Sequence, residues 1–248
     1  MVEEILSHHI LDHILKFNLF GINFGITLHT LFMLGISIVL IILLPLIWRA
    51  KGGRLKTALE FFVVFVRDDI VTPNLGEDGK DFVPFFCTMF IFLLFANYIG
   101  FAPFGRTITA NISVTLGMAA VSGFMIIGLS IKENGMAGFL KTFVPEGVPW
   151  PMIPIIFPLE AISLFIRIFV LAIRLFANMA AGHMVLLCLF SFIFIMGANN
   201  MAEGFIASGP VLVMTLLVSM LELLVAGIQA YVFTLLTAIF TGLQLHAH

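Results

Sequence analysis

Charged side chains are scarce in this chain. Only 10% of its 248 residues are Asp, Glu, Lys or Arg and 61% are hydrophobic, whereas soluble domains usually have about a quarter charged residues. Five stretches contain none of these charged residues: 17–48, 82–105, 107–131, 175–202 and 223–248. Each is longer than the roughly 20 residues that a helix needs to cross the hydrocarbon of a bilayer. The sequence therefore predicts a membrane protein with about five spanning segments.

Cysteine is scarce as well, and no basic surplus is present. Cys87 and Cys188 lie far apart in apolar runs, which gives neither a disulfide framework nor the spacing of a metal site. The net charge of -2 leaves no broad basic surface for nucleic acid. The acidic start MVEEILSHHI lacks the features of a cleaved signal, so we expect a mature N-terminus. The HHILDH cluster at 8–13 has metal-binding residue types, but we favour a wet helix face and expect no metal or other cofactor.

The hydrophobic pattern predicts an all-α polytopic protein with a single membrane domain over 1–248. Prolines in VPEGVPWPMIPIIFP predict a loop or re-entrant bend over 144–158, and GANNMAEG is typical of a turn. The mixture of apolar and charged residues after the first span predicts a helix on the membrane surface. The expected elements are a first span at 26–48, the amphipathic surface helix at 55–72, a hairpin of spans at 82–103 and 107–131, and a last pair at 159–196 and 208–244.

The basic residues indicate the orientation. Six lie between positions 49 and 81 and two more between 132 and 158, whereas Lys16 and Arg106 are the basic residues expected on the opposite side. The positive-inside rule places the two basic loops in the cytoplasm, the N-terminus outside and the C-terminus inside. An odd number of spans without internal similarity also argues against the inverted-repeat transporters.

Two permanent cations lie within the fourth predicted span. A charge at mid-bilayer costs about 2.5 to 3.5 kcal/mol on insertion scales and usually has a function. Glu160, Arg167 and Arg174 are spaced by seven residues and Asn178 follows four later, so a helix holds all four on nearly one face. For Arg167, pairing with Glu160 or snorkelling explains its presence as well as a direct role does. Arg174 is deeper and has no acidic residue within two turns downstream, which favours a functional role.

Three further polar residues lie in the last two spans. His183 is nine residues beyond Arg174 and should point to another side of the helix, while Glu222 and Gln229 are seven apart and share a face. The two helices are therefore able to present Arg174 and Gln229 toward one region and His183 and Glu222 toward another. A histidine alone is usually a satisfied core residue, but titratable groups paired at membrane depth are typical of proton relays.

Two segments resemble a known family. SLFIRIFVLAIRLFANMAAGHMVL (163–186) and ELLVAGIQAYVFTLL (222–236) strongly resemble subunit a of the F-type ATP synthase, the stator channel subunit. TANISVTLGMA and FANYIGFAP are similar too, so the resemblance extends over 26–244. The R-L-x-x-N-x-x-A-G-H pattern at 174–183 is highly specific.

The resemblance implies a mechanism and a set of site residues. The last two helices would be long and tilted along a rotor ring of c subunits. Arg174 matches the essential arginine that attracts each ring carboxylate and separates two half-channels, and Gln229 matches the polar residue opposite. His183 and Glu222 match the pair that lines the outside half-channel, with Asn178 near the path.

The resemblance also implies the partners and the location. Arg167 and Glu160 are possible accessory residues. The chain would have no catalytic site of its own and no cofactor, and its partners would be the c-ring, the b-type subunits of the peripheral stalk, the lipid bilayer and, indirectly, the catalytic head. Protons are expected rather than sodium, because His183 and Glu222 are titratable. We expect a bacterial inner membrane, with the mitochondrial inner membrane as the alternative.

Three other functions compete with this interpretation. A voltage sensor would repeat arginines along a helix, but this span has two. A membrane haem protein would need axial ligands, often histidine pairs, but only His29 and His183 lie within the predicted spans. A structural scaffold explains the hydrophobicity, but it does not explain why polar residues converge in the last two helices.

Overall fold

The computed structural model describes residues 14–19, 22–49, 52–101, 108–144, 149–199 and 201–245. The histidine cluster at 8–13 and Arg106 lie outside the described residues. An antiparallel hairpin of β1 (Ile14–Leu19) and β2 (Ile22–Thr27) precedes the helices, with Ile14 paired to Thr27. The sequence does not predict this hairpin. In the described chain that follows it, all regular elements are helical, and the predicted all-α class of the membrane domain is confirmed.

Seven α-helices follow the hairpin along the described chain. A π-helical turn, Val66–Val71, and a 3-10 turn, Gly76–Phe82, link the short elements between the first two spans. The helices are α1 (Leu28–Arg49), α2 (Arg54–Phe65), α3 (Thr72–Leu75), α4 (Val83–Tyr98), α5 (Ile112–Lys141), α6 (Ile153–Asn199) and α7 (Met201–Leu245).

Five segments of the described chain are long and apolar enough to cross a membrane, as the sequence predicts. The last two, α6 and α7, have 47 and 45 residues. A straight helix of that length extends about 70 Å, more than twice the roughly 30 Å of bilayer hydrocarbon. Helices of this length are too long to lie wholly within the hydrocarbon if they run along the bilayer normal.

Helix α6 begins six residues before the predicted position 159. Pro154 lies in its first turn, where a missing N–H leaves no hydrogen bond unmade. Pro158 lies one turn further in and removes one hydrogen bond, the one to the carbonyl of Pro154. The predicted loop at 144–158 is accordingly shorter in the structure, because prolines at the start of a helix do not break it. Helix α7 likewise begins at Met201 rather than at 208.

The amphipathic segment after the first span has two parts. Helix α2 has no buried residue, and its Leu55 and Phe61 are 71% and 74% exposed, as expected of a helix on the membrane surface. The π-helical turn and α3 instead bury Val66, Ile70 and Leu75 completely in the core. The predicted surface helix at 55–72 therefore leaves the surface after Phe65.

The core lies where α4, α5, α6 and α7 meet. Phe86 and Leu93 of α4, Leu175 of α6 and Phe233 of α7 are fully buried there. The last carbonyls of α7 have no donor within their own helix, and α5 supplies donors to them. Its Ser130 Oγ donates to the Gln244 carbonyl at 3.2 Å and its Asn134 Nδ2 to the Leu245 carbonyl at 3.3 Å. The C-terminal end of α7 is thereby held by contacts with a distant part of the chain.

Gly242 offers a test of this packing. A Cβ at this position would overlap the main-chain oxygen of Asn74 in α3, and main chain cannot swing aside as a side chain can. We expect Gly242→Ala to destabilise the protein by about 1 to 3 kcal/mol, seen as a lower Tm in detergent. A Cβ added at Gly128 of α5 would lie in open space, so Gly128→Ala should keep or raise the Tm. Equal Tm values for the two variants would contradict the close contact.

Candidate functional site

The two longest helices form an antiparallel pair with a cavity between them. The cavity has a volume of about 310 Å³. Its polar lining residues are Asn178 and His183 from α6 and Glu222 from α7. The remaining lining residues are Met179, Ala181, Gly182, Val185, Val218, Leu221 and Val225. The structure thus brings His183 and Glu222 to one site and adds Asn178, which the helical spacing had grouped with Arg174.

Glu222 reaches this cavity because the facing residue is glycine. A Cβ on Gly182 would lie 2.7 Å from Cδ of Glu222 and would overlap its Oε1. Both carboxylate oxygens are buried, and they accept no hydrogen bond from the part of the chain that the structure describes. Buried polar atoms are normally paired, and an unpaired carboxylate is costly as an anion. This geometry makes Glu222 the candidate acidic group of the site.

Arg174 lies on the outer surface of α6. Its side chain is exposed, and so are its apolar neighbours Val170 (41%) and Ile173 (39%). Within the described part of the chain it has neither an ion pair nor a hydrogen bond. Asn178 is one turn away, about 6 Å along the axis. The structure therefore places a permanent cation on an apolar surface, next to the end of the cavity.

Arg167 has a different environment from Arg174. Its Nη2 lies 3.2 Å from Oε1 of Glu160, and both side chains are largely covered. Its guanidinium also lies 5.9 Å from the ring centroid of Phe240 in α7, within the range of a cation–π contact. Of the two interpretations that the sequence left open, the structure favours pairing with Glu160. Arg167 is a satisfied cation that joins α6 to α7.

Gln229 is buried in α7, and its Nε2 donates no hydrogen bond to any residue that the structure describes. Among the described residues, no hydrogen bond joins it to Arg174. The antiparallel register still brings the two residues to nearly the same level. That register follows from three contacts: Gly204 with Gly197, Glu222 with Gly182, and Phe240 with Arg167.

Sequence reasoning missed one buried polar residue beside this site. Asn97, in the last turn of α4, is fully buried, and its Nδ2 donates to the Ala226 carbonyl at 3.0 Å. It lies in the FANYIGFAP segment, where only the family resemblance drew attention to it. The contact joins residues 129 positions apart, so no local pattern indicates it.

The described residues contain no group of three His, Cys, Asp or Glu side chains that is able to hold a metal ion. The cysteines are unpaired, with Cys87 buried and Cys188 exposed. The expectation that the chain carries no cofactor stays a prediction.

A protein family described as ATP synthase A chain matches residues 29–242. The chain belongs to this family. Among its relatives, ATP synthase subunit a 2 of Chlorobium luteolum is 34% identical over 97% of this chain and 75% of its own length. ATP synthase subunit a of Erythrobacter litoralis is 41% identical over 76% of this chain and 73% of its own. The same subunit of Myxococcus xanthus is 37% identical over 90% and 74%.

Membership in the ATP synthase A chain family answers the question of function class. The chain is a proton-conducting stator subunit in the membrane sector of an F-type ATP synthase, where it works with the c-ring. Subunits of this kind have no catalytic site of their own. The voltage-sensor, haem-protein and scaffold interpretations are therefore excluded.

The contact between Gly182 and Glu222 predicts a sensitive position. Gly182→Ala places a methyl group where the Glu222 carboxylate lies, and displacing a packed group costs about 1 to 3 kcal/mol. We expect ATP-driven proton pumping to fall by about tenfold when it is normalised to the amount of assembled subunit. Gly117 of α5 has open space around it and provides the control Gly117→Ala. Normal pumping by Gly182→Ala would show that pumping does not depend on the contact of the Glu222 carboxylate with residue 182.

Proposed function

We propose that Arg174 is the gate of this stator subunit and that the cavity of Asn178, His183 and Glu222 is its proton access from the outside. One observation carries the proposal. Arg174 is exposed on an apolar surface without an ion pair in the described chain, whereas Arg167, seven residues earlier, is paired with Glu160. The two arginines of one helix therefore have different roles.

The physical cost of an isolated cation supports a partner from another subunit. A guanidinium against lipid is expensive, so such groups face protein or water. A carboxylate on the passing c-ring would supply the missing charge. Because a guanidinium does not release its proton at any working pH, Arg174 neutralises that carboxylate without relaying protons. It would thereby separate two half-channels and prevent leakage between them.

The cavity supplies the other half of the proposal. Its volume of about 310 Å³ is sufficient for several water molecules, and an imidazole and a carboxyl group both exchange protons with water. From Glu222 and His183 the cavity extends to Asn178, one turn from Arg174. Gln229 of α7 lies at nearly the same height along the helix pair as Arg174 of α6. A proton delivered there neutralises a ring carboxylate, which then enters lipid, and release into the second half-channel completes the cycle. Each charge gains roughly 2.3 kcal/mol per 100 mV of membrane potential.

The proposal also includes the orientation of the subunit in the membrane and its location in the cell. We place the N-terminus outside and the C-terminus in the cytoplasm, because basic residues concentrate after α1. The three relatives described above are bacterial, which favours a bacterial inner membrane over the mitochondrial one. Helix α1 has exposed apolar side chains, and we expect the lipid bilayer and the b-type subunits of the peripheral stalk to contact them. The catalytic head would be reached only indirectly.

The deciding experiment compares the two arginines. Arg174→Ala and Arg167→Ala are assembled into the complex and reconstituted in vesicles, where ATP synthesis, ATP-driven pumping and passive proton leak are measured. Arg174→Ala should assemble, neither synthesise nor pump, and leak protons. Arg167→Ala loses the ion pair with Glu160 and the contact with Phe240, but it removes no residue of the proposed path, so it should retain far more activity per assembled subunit than Arg174→Ala. Pumping by Arg174→Ala at the level of the parent would refute the gate.

A lysine at position 174 tests the chemistry of the cation. Lysine keeps the charge, but it lacks the planar donor fork and is able to lose its proton. Loss of one hydrogen bond to a charged group costs about 1.5 kcal/mol or more, so ATP synthesis by Arg174→Lys should fall by about tenfold or more. Synthesis at the parent rate would mean that a positive charge alone is enough at this position.

A further inference from the structure

Two consecutive residues of α4 contact two consecutive residues of α7. Asn97 Nδ2 donates to the Ala226 carbonyl at 3.0 Å, and both residues are fully buried. The hydroxyl of Tyr98 lies on the next residue, Gly227, where an added Cβ would be 2.8 Å from it. These contacts of Asn97 and Tyr98 with Ala226 and Gly227 are called the α4–α7 clamp below.

The clamp lies between Glu222 and Gln229, the two residues of α7 that belong to the proposed proton path. Ala226 follows Glu222 by four residues, and Gln229 follows Ala226 by three. One helical turn has 3.6 residues, so each polar residue is about one turn from the clamp. A helix moves as a rigid rod over this length. A contact that fixes the rotation and height of the helix at Ala226 therefore fixes the positions of both polar side chains.

The hydrogen bond of Asn97 is suited to holding a helix. A backbone carbonyl has two lone pairs, so Ala226 accepts from Asn97 in addition to its bond within the helix. Within the described chain, the buried Oδ1 of Asn97 accepts no hydrogen bond, so the side chain is held there through its Nδ2 donor. Within a dry interior such a bond is expensive to break, because the carboxamide would lose its one partner.

We infer that the α4–α7 clamp is the device that positions Glu222 against Gly182 and Gln229 at the level of Arg174. Asn97 and Tyr98 are positioning residues that carry no proton themselves. The inference rests on the proposed function of Glu222 and Gln229, and it adds a requirement: the access path works only while α4 holds α7 in this rotation.

Gly227 makes the clamp testable through compensation. The nearest atom to an added methyl is the Tyr98 hydroxyl at 2.8 Å, and the next is Cζ of the same ring at 3.8 Å. The shorter distance is a clash, whereas the longer one is ordinary van der Waals contact. Tyr98→Phe removes the hydroxyl and should make room for the methyl group of Gly227→Ala.

The first experiment measures Gly227→Ala, Tyr98→Phe and the double variant in the assembled complex in vesicles. The readouts are protons pumped per ATP hydrolysed and, after the catalytic head is removed, passive proton flow, each normalised to the amount of assembled subunit. We expect Gly227→Ala to lower both by about fivefold and the double variant to return to the level of Tyr98→Phe alone. A double variant no better than Gly227→Ala would overturn the clamp.

The second experiment uses two asparagines that make the same kind of bond. Asn97 donates to Ala226 in the middle of α7, whereas Asn134 of α5 donates to the carbonyls of Gln244 and Leu245 at its end. Asn97→Ala should lower passive proton flow by about tenfold, while Asn134→Ala should leave the flow per assembled subunit unchanged. Equal losses of proton flow in both variants would mean that Asn97 contributes only to packing, and this result would overturn the inference.

Glu222→Gln, measured in the same preparation, separates the two levels of proposal. If Glu222→Gln conducts protons like the parent, the proposed function is wrong and the clamp has nothing to position. If Glu222→Gln stops the flow but the clamp variants conduct normally, the proposed function stands and only the clamp is overturned.

Discussion

A guanidinium cannot give up its charge, and in an apolar environment it must be paired. Arg167 satisfies this constraint within the chain through Glu160 and Phe240, but Arg174 has no ion pair among the described residues. The surface that carries Arg174 also exposes apolar side chains, among them Val170 and Ile173. The isolated chain is therefore incomplete at this surface. In the proposed function, a carboxylate of the c-ring supplies the missing negative charge.

Glycine allows the polar groups of the hairpin to come together. Gly182 leaves space for the Glu222 carboxylate, Gly227 leaves space for the Tyr98 hydroxyl, and Gly197 and Gly204 bring α6 and α7 into contact near their shared turn. At Gly182, Gly204 and Gly227 an added Cβ would clash with an observed atom. A close approach of helices is a general need in membranes, where small residues at interfaces replace the hydrophobic drive. Here the close approach also sets the distance between the titratable groups.

The sequence predicted the fold class because lipid forces every backbone polar group to be paired within its own segment, so apolar runs translate directly into helices. Spacing by seven residues predicted that Glu160 and Arg167 share a face, and the ion pair agrees. The start of α6 was not predicted, because a proline in the first turn looks like a helix breaker although it removes no hydrogen bond. The contact of Glu222 with Gly182 and the bond from Asn97 to Ala226 depend on helix packing between distant segments, for which a single sequence contains no local pattern.

The order of groups along the hairpin explains why proton flow would have to turn the ring. In antiparallel register, the paired Arg167 and Phe240 mark one end of the site, and His183 and Glu222 mark the other. Arg174 and Gln229 lie between these ends. In the proposed function, a proton that arrives at Glu222 meets a fixed cation before it reaches the far side, and a fixed cation does not pass protons on. The remaining route is for the proton to travel on a neutralised carboxylate of the rotor. A proton would therefore cross the membrane only when the ring rotates.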